Sequence, residues 1–139
     1  MKQITRILFI LFLCLAVGCE KYNPVPRVGV DFSIEPDNVM YLNLNIWGGH
    51  EYLTGGVNGI VVYRLNGWSF SAFDRACPYD WDDPDEPRIF VEDNGIILCC
   101  PRCGSQYNIL DGSVITGLSE YPLRQYYTRY DGVKLRVHS

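Results

Sequence analysis

Beyond residue 27, apolar and polar positions alternate along most of the chain. Val28, Val30, Phe32 and Ile34 are separated by small or polar residues, and Met40, Leu42, Leu44 and Ile46 alternate with Tyr41, Asn43 and Asn45. A period of two marks strands with one buried face. Further strands are predicted over Gly59 to Leu65, Trp68 to Phe73, Arg88 to Glu92, Ile96 to Cys99, Leu123 to Tyr130 and Val133 to His138. Between them stand Asn66-Gly67, Asn94-Gly95, Asp111-Gly112 and Asp131-Gly132, pairs that supply positive φ in tight hairpin turns. No sustained 3.6-residue apolar stripe and no internal repeat follows residue 18. The pattern predicts an all-β antiparallel domain, a sandwich or small barrel, with Tyr63, Trp68, Phe70 and Tyr127 in its core.

The N-terminus has a different pattern. Lys2 and Arg6 precede an uninterrupted apolar run of eleven residues, Ile7 to Val17, too short for the roughly 20 that cross a bilayer. It reads as the apolar region of a secretory signal. Ala16 and Gly18 place small residues at the positions that signal cleavage needs, leaving Cys19 first in the mature chain. Leu15-Ala16-Val17-Gly18-Cys19 resembles a bacterial lipobox, and the resemblance implies acylation of Cys19 and anchoring to a membrane of the cell envelope. The chain then divides into a signal peptide over 1–18, a proline-containing tether over 19–27 and a domain over 28–139.

A length of 139 residues, 47% of them hydrophobic, allows one domain and no second catalytic one. Loss of Lys2 and Arg6 with the signal takes the net charge from −4 to −6, which disfavours nucleic acid as a partner. Export also places the remaining cysteines in an oxidising compartment, where thiols are bonded to each other, bound to metal or protected. Four of them, Cys77, Cys99, Cys100 and Cys103, lie in the domain.

Ala76-Cys77-Pro78-Tyr79-Asp80 and Cys100-Pro101-Arg102-Cys103-Gly104-Ser105-Gln106-Tyr107 form two candidate ligand loops. Cys-x-x-Cys followed by glycine makes a knuckle that aims both sulfurs one way, as metal sites require. With Asp111-Gly112-Ser113-Val114, Pro122-Leu123 and Asp131-Gly132-Val133, these loops make the run from Gly59 to Val137 resemble a Rieske domain. The resemblance implies a [2Fe–2S] cluster with Cys77 and Cys100 on one iron. The family's two histidine positions carry Tyr79 and Cys103, both competent iron ligands, and these would hold the other iron. Ser105 and Tyr107 match the residues that donate hydrogen bonds to a sulfide and a cysteine sulfur. Anionic ligands in place of imidazoles would bring the potential from the Rieske range of about −150 to +300 mV towards about −400 mV. The family's Gly-Pro covering loop reads Gly117-Leu118 here.

The cysteines themselves leave other readings open: a zinc site of three thiolates with a tyrosine, an aspartate (Asp80 or Asp82) or water, a disulfide between the loops, or free thiols in a binding module. Cys99 should face away from Cys100 as a small buried residue, and His50 and His138 read as surface residues. The acidic run from Asp80 to Pro87 lacks the spacing of a calcium loop and reads as solvated, or as a docking patch for a basic partner. No nucleophile, phosphate loop or catalytic triad is present. The function implied is electron transfer with a redox protein partner, without catalysis by this chain alone. The alternative is a Rieske-fold lipoprotein without a cluster, zinc-bound or disulfide-stapled, that serves as a binding or structural module.

Overall fold

The structure is a computed structural model that describes residues 22–83, 85 and 88–139. The signal peptide, Cys19, Pro84, Glu86 and Pro87 lie outside the described residues. Among the described residues, ten strands run in the order β1 (Asp31–Ile34), β2 (His50–Leu53), β3 (Ile60–Arg64), β4 (Phe70–Asp74), β5 (Phe90–Val91), β6 (Ile97–Cys99), β7 (Gln106–Asn108), β8 (Val114–Thr116), β9 (Tyr127–Tyr130) and β10 (Leu135–His138). They pair antiparallel in three sheets, ordered β1-β10-β9, β2-β3-β4 and β5-β6-β7-β8. Among the described residues no helix is long and apolar enough to cross a membrane.

The middle sheet is covered on both faces. Along β3, Ile60 and Val62 face one core with Phe70, Ala72, Leu135 and Val137, while Val61 and Tyr63 face a second with Phe73, Leu98, Tyr107 and Ile109. This explains the run Ile60-Val61-Val62-Tyr63, whose lack of alternation fits a strand buried on both sides. The second core also contains Cys77 and Cys100, so the candidate ligands sit at the edge of packed apolar structure.

Several sequence expectations are corrected. The alternating run from Met40 to Ile46 is a 3-10 helix, Val39–Asn45, of which only Leu44 is buried. Asn38 caps it, its side chain accepting from Met40 N at 3.0 Å, and Arg64 Nη1 donates to the Leu44 carbonyl at 2.8 Å. Local capping therefore outcompetes strand pairing. Trp68 and Tyr127, expected in the core, are 73% and 71% exposed, whereas Tyr63 and Phe70 are buried. Trp68 lies in the β3–β4 turn, and Tyr127 stacks on His138 at 5.5 Å. The turns also differ from type I′, since no described non-glycine residue has positive φ. Asn66, Asn94, Asp111 and Asp131 instead accept hydrogen bonds from backbone N–H groups two residues on, and of the four glycines that follow them Gly95, Gly112 and Gly132 take positive φ while Gly67 does not. The expected tether is, from Asn23 on, bound to the body. Asn23 Nδ2 donates to the Pro122 carbonyl at 2.8 Å, Arg124 donates to the Asn23 and Val25 carbonyls, and Val25 is fully buried.

At the end of β4, Asp74 has no exposure and accepts four hydrogen bonds: from Val57 N (2.6 Å), Asn58 N (3.1 Å), Ala76 N (2.9 Å) and Tyr126 Oη (2.7 Å). It joins the Gly55–Gly59 turn, the approach to β9 and the residue preceding Cys77. Replacing Asp74 with Ala would strand four buried or half-buried donors, so a loss of about 3 kcal/mol is expected in urea unfolding at unchanged m. A loss below about 1 kcal/mol would show that water replaces this carboxylate.

Candidate metal centre

The two ligand loops follow the same local design. After β4, the chain turns so that Asp80 N donates to the Cys77 carbonyl at 3.2 Å. Between β6 and β7, Gly104 N donates to the Cys100 carbonyl at 3.0 Å, and Cys100 N to the Ser105 carbonyl at 2.9 Å. Gly104 takes φ +72°, a conformation that costs glycine little. Each turn carries its second donor three residues after the first: Cys77-Pro78-Tyr79-Asp80 and Cys100-Pro101-Arg102-Cys103.

One donor atom from each of Cys77, Asp80, Cys100 and Cys103 lies within 4.8 Å of all the others. Cys77 Sγ and Cys103 Sγ are 3.6 Å apart. The Asp80 Oδ1 atom is buried and, among the described residues, is the only buried side-chain oxygen or nitrogen without a hydrogen-bond partner. Tyr79, expected as a ligand, has its side chain 55% exposed. Asp80, expected only as one alternative fourth ligand to zinc, belongs to the group, and the Cys-Pro-x-donor spacing that its loop shares with Cys100 to Cys103 is the signal in the sequence that marks it.

Hydroxyl groups and backbone amides surround the sulfurs. Tyr107 Oη lies 3.3 Å from Cys77 Sγ, and Ser105 Oγ 3.1 Å from Cys103 Sγ. Burial and the neighbouring Cys77 sulfur push the Tyr107 phenol well above its ordinary range, so it remains a donor. Cys77 S–H and the backbone N–H groups of Cys103 and Arg102 hold the Cys100 thiol down to about 6, and the same pairing with Cys100, together with burial, pushes Cys77 up. The covering loop packs directly on Ser105: Ser119 N donates to Ser105 Oγ at 3.0 Å, and Gly117, at φ +116°, leaves no room for a Cβ, which would sit 2.4 Å from Ser105 Cα. Arg102 pairs with Asp83 at 2.5 Å, joining one loop to the other.

The remaining candidates lie apart from this group. Cys99 is half-buried on β6, its thiol raised by burial and by Glu92, so it is less enclosed than expected. His50 packs edge-on against Tyr52 at 5.2 Å, and His138 stacks on Tyr127. Neither belongs to the donor group.

Neither a scan of protein-family models nor a search of curated proteins finds a match. Solved structures do match. The ferredoxin of carbazole 1,9a-dioxygenase from Nocardioides aromaticivorans IC177 aligns with 80% of this chain and 97% of its own at 17% identity and a TM-score of 0.49. A complex of reduced oxygenase and oxidized ferredoxin in carbazole 1,9a-dioxygenase gives 81%, 94%, 16% and 0.51 in the same order. A protein assigned as the small subunit of an NADH-dependent nitrite reductase from Mycobacterium tuberculosis gives 81%, 97%, 18% and 0.50. The fold is Rieske-like. At these identities the likeness concerns the backbone, and the centre must be judged on its own donors.

Rieske ligands hold two irons in separate pairs, and the resemblance places Cys77 and Cys103 on different irons. Their 3.6 Å separation instead suits two thiolates on one tetrahedral ion, for which metal–sulfur bonds of about 2.3 Å imply about 3.8 Å. As placed, the donors fit a single ion and do not fit the two-iron group.

In the metal-free, reduced protein, far-ultraviolet thiolate absorbance should gain one thiolate with a midpoint near 6, absent from Cys100→Ser. Because this pKa is depressed on folding, its stabilisation is full above the unfolded value of 9.0 and is lost as pH falls through about 6. Thiolate absorbance that rises only near pH 9 would contradict the pairing of Cys100 with Cys77 and the amides beside it.

Proposed function

We propose that this chain is an electron-transfer protein of the cell envelope, anchored through acylated Cys19 after removal of residues 1–18, with iron held between the two loops of a Rieske-like scaffold. The observation that carries the reading is the convergence of the Cys77, Cys100 and Cys103 thiols, with the Tyr107 and Ser105 hydroxyls against two of them. Iron bound by thiolates supplies a one-electron couple. The resemblance gives the centre the form of a [2Fe–2S] cluster, but the electron-carrier reading requires only iron at these thiols.

The chain's own residues set the conditions for such a centre. Tyr107 donates to Cys77, and the Ser105 hydroxyl can donate to Cys103 once that sulfur is a thiolate. Both favour the reduced, more negative state. Asp80, among the donors themselves, and the acidic loop that follows it act in the opposite direction. At 10 Å and an effective dielectric of about 30, one charge of that loop is worth about 1 kcal/mol before screening. Arg102 and Asp83 tie the two ligand turns together, which limits the rearrangement that each electron transfer requires. A neighbour that is a ferredoxin in complex with an oxygenase supports a redox protein as the partner.

A second reading is a lipid-anchored binding or structural module whose loops are stapled by zinc. It is favoured by the four convergent donors, the number that structural zinc sites use.

Iron-loaded full-length chain, kept anaerobic in detergent, should undergo reversible one-electron reduction at a potential below the Rieske range of about −150 to +300 mV, and Tyr107→Phe should lower it further. Cys77→Ser should lose the signal. Protein that refuses iron, or holds it without a reversible couple, would overturn the electron carrier and favour the binding or structural module. Cys19→Ser should move the chain from the membrane fraction to the soluble one, and retention in membranes would overturn the lipid anchor.

A further inference from the structure

We propose that Cys77, Asp80, Cys100 and Cys103 hold one tetrahedral metal ion, with Asp80 in the role that the Rieske resemblance gives to Tyr79. The inference deepens the electron-carrier reading, resting on its premise that metal binds at these loops, and departs from the family's two-iron group.

Three independent observations converge on it. The first is distance. Every pair of donor atoms lies within 4.8 Å, and Cys77 Sγ to Cys103 Sγ, the pair that a two-iron centre would place on separate irons, is 3.6 Å. The second is the cost of the Asp80 carboxylate. Its Oδ1 is buried without a hydrogen bond, an arrangement that costs roughly 1–3 kcal/mol for a polar group and more for a charged one. A cation at the centre of the three sulfurs supplies the missing partner. The third is chain geometry. Asp80 N donates to the Cys77 carbonyl, closing a tight turn that brings the carboxylate back beside the sulfur it follows, while the intervening Tyr79 side chain is left 55% exposed.

The turn also explains the residue type. Cys-Pro-x-Cys in the second loop presents two sulfurs from one knuckle, and Cys-Pro-x-Asp in the first presents a sulfur and an oxygen at the same spacing. Two such knuckles facing each other enclose a four-donor site with three soft thiolates and one harder carboxylate. That donor set suits zinc or thiolate-held iron in tetrahedral geometry. The Asp83–Arg102 pair holds the knuckles in register from outside.

The test uses cobalt(II) as the probe ion on full-length chain, reduced and metal-free in detergent. One equivalent should give the intense visible absorption of tetrahedral cobalt with thiolate charge-transfer bands. Asp80→Asn should weaken cobalt binding more than about 100-fold, beyond the range produced by a residue that only orients a ligand. Asp80→Cys should restore tight binding and intensify the charge-transfer bands, whereas Tyr79→Phe should change neither. Wild-type affinity in Asp80→Asn, or loss of binding in Tyr79→Phe, would overturn the assignment of Asp80. In parallel, anaerobic loading with iron and sulfide should yield one iron and no acid-labile sulfide. Two irons with two sulfides would overturn the single-ion centre while leaving the electron carrier intact. Tight binding of one ion with no iron couple would keep this inference and end the electron-carrier reading, and wild-type chain that binds no cobalt would end both.

Discussion

The architecture depends on one buried carboxylate. The central sheet is covered on both faces, so the chain can leave it for a functional loop only at a strand end, where backbone groups lose their ladder partners. Asp74 stands at that point with no exposure and accepts from Val57, Asn58, Ala76 and Tyr126. A buried acceptor with four donors is geometrically demanding, because each donor left unpaired would cost more than its bond contributes. The first cysteine loop therefore begins from a fixed position, and Cys77 enters the second core beside Tyr107 and Cys100.

The donor group inverts that logic. Asp74 is buried and satisfied, whereas Asp80, six residues later, is partly buried with an oxygen that has no hydrogen-bond partner. Natural structures leave few such atoms unpaired, and those that remain commonly mark functional positions. The surrounding sulfurs, amides and hydroxyls are arranged for negative charge on sulfur, and a cation balances that charge with the least rearrangement. The Rieske-like scaffold contributes the two turns and the hydroxyls of Ser105 and Tyr107. Where the Rieske resemblance implies paired ligands for two irons, four donor atoms here lie within 4.8 Å of one another.

Much of the fold was legible in the sequence because hydrophobic alternation and turn residues report directly on half-buried strands. β1, β4, β9 and β10 follow from it, and β3 from the apolar run Ile60 to Tyr63. The segment from Met40 to Ile46 misled because a cap on Asn38 and a hydrogen bond from Arg64 decide its conformation, and neither appears in an apolar pattern. β2 and β7 are short and largely polar, and β8 is only Val114–Thr116, so their pairing defines them. Cys100 and Cys103 stood out by knuckle spacing and Cys77 by the Rieske resemblance, and the structure brings the three sulfurs together. The role of Asp80 was obscured by a resemblance that directs attention to Tyr79, and only the turn after Cys77 shows which of the two adjacent side chains faces inward.

The most direct test of the central claim is X-ray absorption at the edge of the ion bound by the full-length chain. A single ion held by Cys77, Cys100, Cys103 and Asp80 should show three sulfurs at about 2.3 Å and one oxygen at about 2.0–2.2 Å, with no second metal nearby. A metal–metal distance in the same spectrum, or a first shell without oxygen, would contradict it.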